Sequence, residues 1–185
     1  MSCRLVKNIT HSCEYNPGGI TNIYLLDIRD FLSYRFSGRS LLEQCFVEKI
    51  NTNEPFGEIS AVNESSFAET FDRGIYKQEL RTFVHTLTGE KSASLLLAQT
   101  HKYLIVFRNS QGRMYCFGSD GGASISFTQQ TGQNSETSGY QIAISKQSVY
   151  PLIEIDPSKF DVIEVLGTEN GIIVQTEDLK NAIIT

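Results

Sequence analysis

Apolar and polar side chains alternate along much of this chain, and a repeat of two residues recurs in segment after segment. Residues 22–27 (NIYLLD) are aromatic and β-branched enough for a first strand, opened by the turn-forming run Asn16-Pro17-Gly18-Gly19. Residues 45–50 (CFVEKI) alternate strictly. Cys45, Val47 and Lys49 are therefore expected on one face of a strand, and Phe46, Glu48 and Ile50 on the other. Between these strands, residues 29–43 carry Phe31, Leu32, Tyr34 and Phe36. That is too apolar for a disordered linker and reads as an excursion packed on the body or on a neighbour. Alternation returns over residues 56–71, and Gly74 marks a turn.

Residues 76–87 obey two periods at once. Tyr76, Leu80, Phe83, Val84 and Leu87 fit a helical stripe, whereas Thr82, Val84 and Thr86 are β-branched and favour a strand. Local pattern leaves helix and strand both open. Residues 89–100 read as a helix: Thr88 can cap its first turn, Glu90 suits the positive start, and His101 and Lys102 suit the negative end. A hairpin follows, from residues 103–107 (YLIVF) through Asn109-Ser110-Gln111-Gly112 to residues 114–118, its first strand apolar enough to be buried on both faces. Residues 123–127 and 140–145 are two further strands. They flank residues 128–139, a polar segment expected to form a mobile loop.

Tyr150-Pro151 closes a main domain, residues 1–150, and residues 151–185 form a C-terminal extension. In the extension, Asp156-Pro157 opens a short helical turn. Residues 160–166 and 172–175 form a small hairpin around Asn170-Gly171, and residues 176–178 begin a last turn leading to an apolar tail at 183–185. The fold class is mainly β: an antiparallel sandwich or barrel with one flanking helix near residues 89–100.

Composition narrows the function. A net charge of −5 argues against a surface built to hold nucleic acid and is compatible with one that lets a polyanion slide past. The first ten residues lack the apolar run of a secretory signal, and Leu95-Leu96-Leu97-Ala98 is far too short to span a bilayer. Cys3, Cys13, Cys45 and Cys116 contain no CxxC pair and are expected to be free thiols in a cytoplasm.

Candidate chemistry is sparse. His11, His85 and His101 stand at no ligand-like spacing. Gly118-Ser119-Asp120-Gly121-Gly122 resembles a phosphate cradle only loosely; it lacks the GK[ST] ending and joins two strands, so it reads as a tight turn needing positive φ. Ser124 and Ser126 lack a nucleophile-elbow context. Cys116 reads as a small hydrophobe in mid-strand. Glu64, Glu69, Asp72 and Glu79 have the spacing of a solvated surface. No catalytic, cofactor-binding or metal-ligating residue is assigned, and the chain is expected not to be an enzyme.

The order of features carries more than any one of them. An early Met1-Ser2-Cys3 and Cys13 precede Gly18-Gly19-Ile20 and a first strand containing Tyr24. Then come Ser66-Phe67-Ala68-Glu69-Thr70, Gly74-Ile75-Tyr76-Lys77-Gln78-Glu79-Leu80 and the helix ending Leu95-Leu96-Leu97-Ala98-Gln99. Gly118-Ser119-Asp120-Gly121-Gly122-Ala123 and Gly139-Tyr140-Gln141-Ile142-Ala143-Ile144 complete the series. Over residues 1–150 this resembles virion proteins of tailed phages infecting Bacteroidetes, including the crAss-like group, of the tail-tube or neck-ring type.

The resemblance implies a tail-tube-like β-sandwich in which residues 76–87 are a long strand. It also implies a closed ring of roughly six or twelve copies, with portal or other ring and tail proteins as neighbours. Such a ring sits in the virion tail or neck, assembles in the host cytoplasm, and lets genomic DNA pass through its lumen without specific binding. The additions at residues 31–42 and beyond 151 favour a single specialised ring over a repeating tube. Residues 128–139 are the first candidate for contact between rings and residues 172–185 the second. A monomeric β-barrel that holds a small ligand, or an adaptor that binds by strand addition, is the alternative.

Overall fold

The computed structural model describes residues 18–36, 46–59, 65–131, 137–160, 165–167 and 173–175. Two β-sheets face each other with one helix beside them, a β-sandwich of the expected class. The strands are β1 (Ile20–Asp27), β2 (Phe31–Phe36), β3 (Phe46–Thr52), β4 (Gly57–Ile59), β5 (Ser66–Asp72), β6 (Ile75–His85), β7 (Tyr103–Asn109), β8 (Met114–Phe117), β9 (Ser124–Gln130), β10 (Gly139–Ser148), β11 (Ile153–Ile155), β12 (Val165–Gly167) and β13 (Ile173–Gln175). Helix α1 spans Gly89–Gln99. The larger sheet has the order β2-β3-β11-β8-β7-β1-β4, the smaller β5-β6-β10-β9, and β12 pairs with β13 alone.

Connectivity forces the larger sheet to roll. β1 and β2 lie five places apart, as do β3 and β4, which is about 24 Å across a flat sheet. Yet Asp27 reaches Phe31 in four residue steps and Thr52 reaches Gly57 in five, spans of at most about 14 and 17 Å. The sheet must therefore curl into an open barrel. The two links meet at its mouth, where Asn53 N donates to Asp30 O at 3.0 Å. The first link is a 3-10 turn, Ile28–Asp30, capped by the Asp27 carboxylate, which accepts from Arg29 N at 3.0 Å and from the Arg29 guanidinium at 2.7 Å.

Curling gives this sheet two buried faces. Ile105 and Phe107 point into the core between the sheets with Ile23, Leu80, Ile125, Ile142 and Ile144. Leu104 and Val106 point into the barrel with Tyr24, Leu26, Val47, Met114, Cys116 and Ile155. That is why four consecutive residues of β7 are all apolar: neither face of the strand meets water. Each such buried side chain supplies about 2 kcal/mol of transfer free energy.

Two irregularities correct a strict reading of alternation. Val47 and Ile50 were expected on opposite faces, yet both pack inside the barrel. The register steps from Arg35↔Lys49 to Phe36↔Val47, so Glu48 is an extra residue in β3, a bulge that turns the strand over. A second shift between Ile20 and Asn22 places Ile20 and Ile23 in the same core.

The segment with two periods is strand β6. It sits between β5 and β10, with residues 75–81 paired to residues 66–72 on one side and residues 76–85 paired to residues 139–148 on the other. Two neighbours satisfy its backbone groups more completely than an isolated helix would, and its β-branched residues fit the pleat. The expected excursion at 29–43 includes edge strand β2. β9 runs on to Gln130, so Thr128 to Gln130 belong to a strand and not to the expected loop. Residues 153–155, beyond the expected boundary near 150, form β11 inside the large sheet, parallel to β3 and antiparallel to β8. Asp156 caps a 3-10 turn at Pro157–Lys159, and β12 and β13 make the expected small hairpin. Cys3, Cys13, Cys45, His11, Glu64, the last turn at 176–178 and the tail at 183–185 lie outside the described residues.

The Arg29 guanidinium beside Asp27 holds that carboxyl down to about 2 from 3.8. A depressed carboxyl stabilises the fold above its unfolded value, and the contribution disappears as pH falls from about 4 to about 2. Arg29→Ala is expected to move the Asp27 midpoint back toward 3.8 in a carboxyl-carbon NMR titration; an unchanged midpoint would refute the pairing.

Candidate functional site

The four-stranded sheet has one buried and one exposed face, and the sequence alternates accordingly. Phe67, Leu80, Ile125, Tyr140, Ile142 and Ile144 face the core. The opposite face carries mostly small and polar side chains, including Ser66, Ala68, Thr70, Ser126, Ala143 and Ser145, with Phe83 and Ile75 as apolar exceptions on β6. A groove of about 740 Å³ crosses this sheet, with Thr70, Lys77, Lys102, Ser124, Ser145 and Lys146 on its walls.

Cations here stand against carboxylates. Lys77 lies 3.0 Å from Asp72, and Arg81 lies 2.8 Å from Glu79. Lys146 Nζ donates to the Asp120 carbonyl at 2.6 Å and lies 3.3 Å from its Oδ1, an ion pair without hydrogen-bond geometry. Lys102 donates to Ser124 Oγ. Exposed pairs of this kind add little stability, but they leave no row of unopposed positive charge on the face.

Two strand edges flank this face. Among the described residues, β5 and β9 each pair on one side only. All three pairings are antiparallel, so the two outer strands run in opposite directions, and both are seven residues long. An unpaired edge is a template for another strand.

Helix α1 packs alongside β9. Thr88 Oγ1 accepts from Lys91 N at 3.2 Å, as the expected cap. Tyr140 Oη donates to Thr88 O at 2.9 Å, Gln129 Nε2 donates to Ser92 Oγ at 2.5 Å, and Leu95 and Ala98 pack on the core between the sheets. Three successive leucines sweep about 200° around a helix, so one side cannot bury them all. Leu95 turns inward, and Leu96 and Leu97 remain 58% and 64% exposed. A second apolar group lies at the end of the sheet where the β5–β6 hairpin turns: Phe71, Ile75, Val149 and Tyr150 are all exposed. Neither group was singled out from the sequence. The leucine run was the available signal for the first; the second needs the pairing of β10 beside β6 to be seen at all.

The candidate chemical residues do not converge. Cys116 is buried in the barrel, 3.0 Å from Tyr34 Oη, and burial pushes its thiol up to about 12, which keeps it neutral. His85 is exposed at the end of β6 with its ring edge-on to Phe83. His101 bonds to the end of α1 through Thr100 Oγ1 and Leu97 O. Glu69 accepts from Gln78 Nε2 at 2.7 Å and from Leu152 N at 2.8 Å, so it ties the crossover from β10 toward β11 to the small sheet. Ser126 donates to Ala143 O at 3.2 Å. Among the described residues, no group of three His, Cys, Asp or Glu side chains comes together, and no helix is long and apolar enough to cross a membrane.

Gly118, Gly121 and Gly122 have φ of 93°, 98° and 79°. The loop is the expected tight turn, fastened by Gly122 N to Gly118 O at 2.8 Å and by two bonds between Ala123 and Tyr103. Comparison with family models, curated proteins and solved structures found no match to this chain.

A methyl at Gly122 would stand 2.5 Å from Lys102 Cβ, whereas one at Gly121 would meet nothing nearer than Lys146 Nζ at 3.8 Å. In urea titrations, Gly122→Ala is expected to cost about 2 kcal/mol or more and Gly121→Ala about 1 kcal/mol. Equal costs would mean that the close approach to Lys102 is absent.

Proposed function

We propose that this protein is a structural subunit of a closed homo-oligomeric ring in the tail or neck of a phage particle, enclosing part of the channel through which DNA passes. One observation carries the reading: among the described residues, the small sheet ends in two edges of equal length that pair on one side only and run in opposite directions. Copies related by rotation about an axis along the strands all point the same way. The β9 edge of one then meets the β5 edge of the next antiparallel, the favoured hairpin-like geometry. An even number of antiparallel strands is what makes such a junction repeat without limit until the ring closes.

Magnitudes support a channel. Six copies would set about 24 strands around a circumference of about 115 Å, a cylinder about 37 Å across at the backbone. The exposed Leu96 and Leu97 beside β9 supply apolar area for the same junction. Turned toward the lumen, the polar face offers hydroxyls and paired charges, and a net charge of −5 per copy opposes retention of a polyanion. The order of motifs described above supports placement in a virion.

Electron microscopy of the assembled particle is expected to place this chain in a closed ring. Leu96→Glu with Leu97→Glu should leave the unfolding free energy of the isolated chain, from urea titration, within about 0.5 kcal/mol of the parent and abolish its incorporation. A chain that works alone, with a ligand in a private pocket, would overturn the proposal.

A further inference from the structure

We infer that the apolar end of the four-stranded sheet is a self-docking surface that joins two copies tip to tip across a two-fold axis. In the ring proposed above, and resting on that reading, this contact holds two rings face to face.

The surface is built by a tight hairpin. Arg73 and Gly74 both have positive φ, 50° and 87°, the conformation of a two-residue primed turn. It sets Phe71 opposite Tyr76, with ring centroids 4.7 Å apart, and Asp72 opposite Ile75. On the other side of β6, Ser148 stands opposite Tyr76 as the last pair of that ladder, and Val149 follows directly where β10 ends. Tyr150 is tied in by Gln78 Nε2, which donates to its carbonyl at 3.3 Å. Phe71, Ile75, Val149 and Tyr150 are 64%, 40%, 65% and 55% exposed, large apolar groups gathered at one end of the sheet, with Phe71 and Ile75 on its two opposite faces.

The opposite end of the same sheet decides the occupant. There the described residues include His85, Thr86, Thr88, Gln130, Thr137 and Ser138, all exposed and all polar. Copies stacked the same way up would press an apolar tip onto a polar end, losing hydration without a partner. Two copies bury both tips only by facing each other, which is an isologous contact. Its charges suit a two-fold axis: Asp72, held by Lys77 at 3.0 Å, keeps a half-exposed carboxylate that Arg73 of its own chain approaches only to 3.9 Å, and the Arg73 side chain is 94% exposed. Either guanidinium can then lie beside the other copy's carboxylate. Such an assembly stops at two layers, with polar ends outward.

A two-fold contact brings identical positions together, so a symmetric disulfide tests it. In the full chain carrying Cys3→Ser, Cys13→Ser and Cys45→Ser, Arg73→Cys is expected to give a covalent dimer under mild oxidation. Thr88→Cys, at the polar end, should give several-fold less. Ile75→Glu added to Arg73→Cys should suppress the dimer while circular dichroism stays unchanged. On the otherwise native chain, Ile75→Glu should halve the particle mass in light scattering. Equal dimer yields at positions 73 and 88, or a monomeric Arg73→Cys chain, would overturn the inference, the latter being the outcome if the tip serves a different protein. Single rings without the disulfide would leave the ring standing and remove the tip contact. Disulfide-linked pairs of lone subunits would do the reverse.

Discussion

The rolled seven-stranded sheet is the constraint on which everything else in this molecule depends. Two links too short to span it flat hold β1 near β2 and β3 near β4. The curl gives β7 two buried faces and creates a barrel core around Cys116, Val47 and Leu104 in addition to the core between the sheets. Chain entropy favours this arrangement, because closing a short link is cheaper than closing a long one. The 3-10 turn capped by Asp27 and the bond from Asn53 to Asp30 sit where the two links cross.

Because the barrel and its sandwich partner share one apolar layer, the four-stranded sheet is anchored by one face alone. Its other face, its two edges and its two ends stay available. Those surfaces differ in kind: the face is mostly small and polar, the edges among the described residues pair on one side only, and one end is apolar. Glu69 and Gln78 keep the crossover between the sheets fastened to β5 and β6, so the apolar end is held on a rigid base. The proposed ring junction and tip contact both draw on this one layer. The side chains of greatest chemical interest are either locked in the core, like Cys116, or paired with a neighbour, like Asp120 and Lys146.

Local pattern was enough to find most of the elements. Alternation marked β3 and β5, β-branched and aromatic composition marked β1, and a hairpin marked β7 and β8. Residues 123–127 and 140–145 read as the strands β9 and β10, the Thr88 cap and the leucine run marked α1, and the glycines of residues 118–122 marked a turn at positive φ. The face assignment at Val47 and Ile50 failed because a bulge depends on which strand lies alongside, and Arg35 and Phe36 of β2 are distant in sequence. The candidate surfaces were legible only in part. A run of three leucines announces that one must be exposed, but Phe71, Ile75 and Val149 look like ordinary strand residues until the sheet order shows that their strands end together.

Outside residues 76–87, local sequence was enough to say where the chain is extended, where it turns and where helix α1 starts. Those features follow from side-chain period, backbone φ preference and end-capping, which act within a few residues. Tertiary structure decided that Ile153–Ile155 slips between β3 and β8, that β6, left open by local period, takes the strand form the resemblance implied, and that among the described residues β5 and β9 pair on one side only. Each of those outcomes rests on hydrogen bonds and buried area supplied by residues far away in the chain, and no local pattern encodes a partner's position.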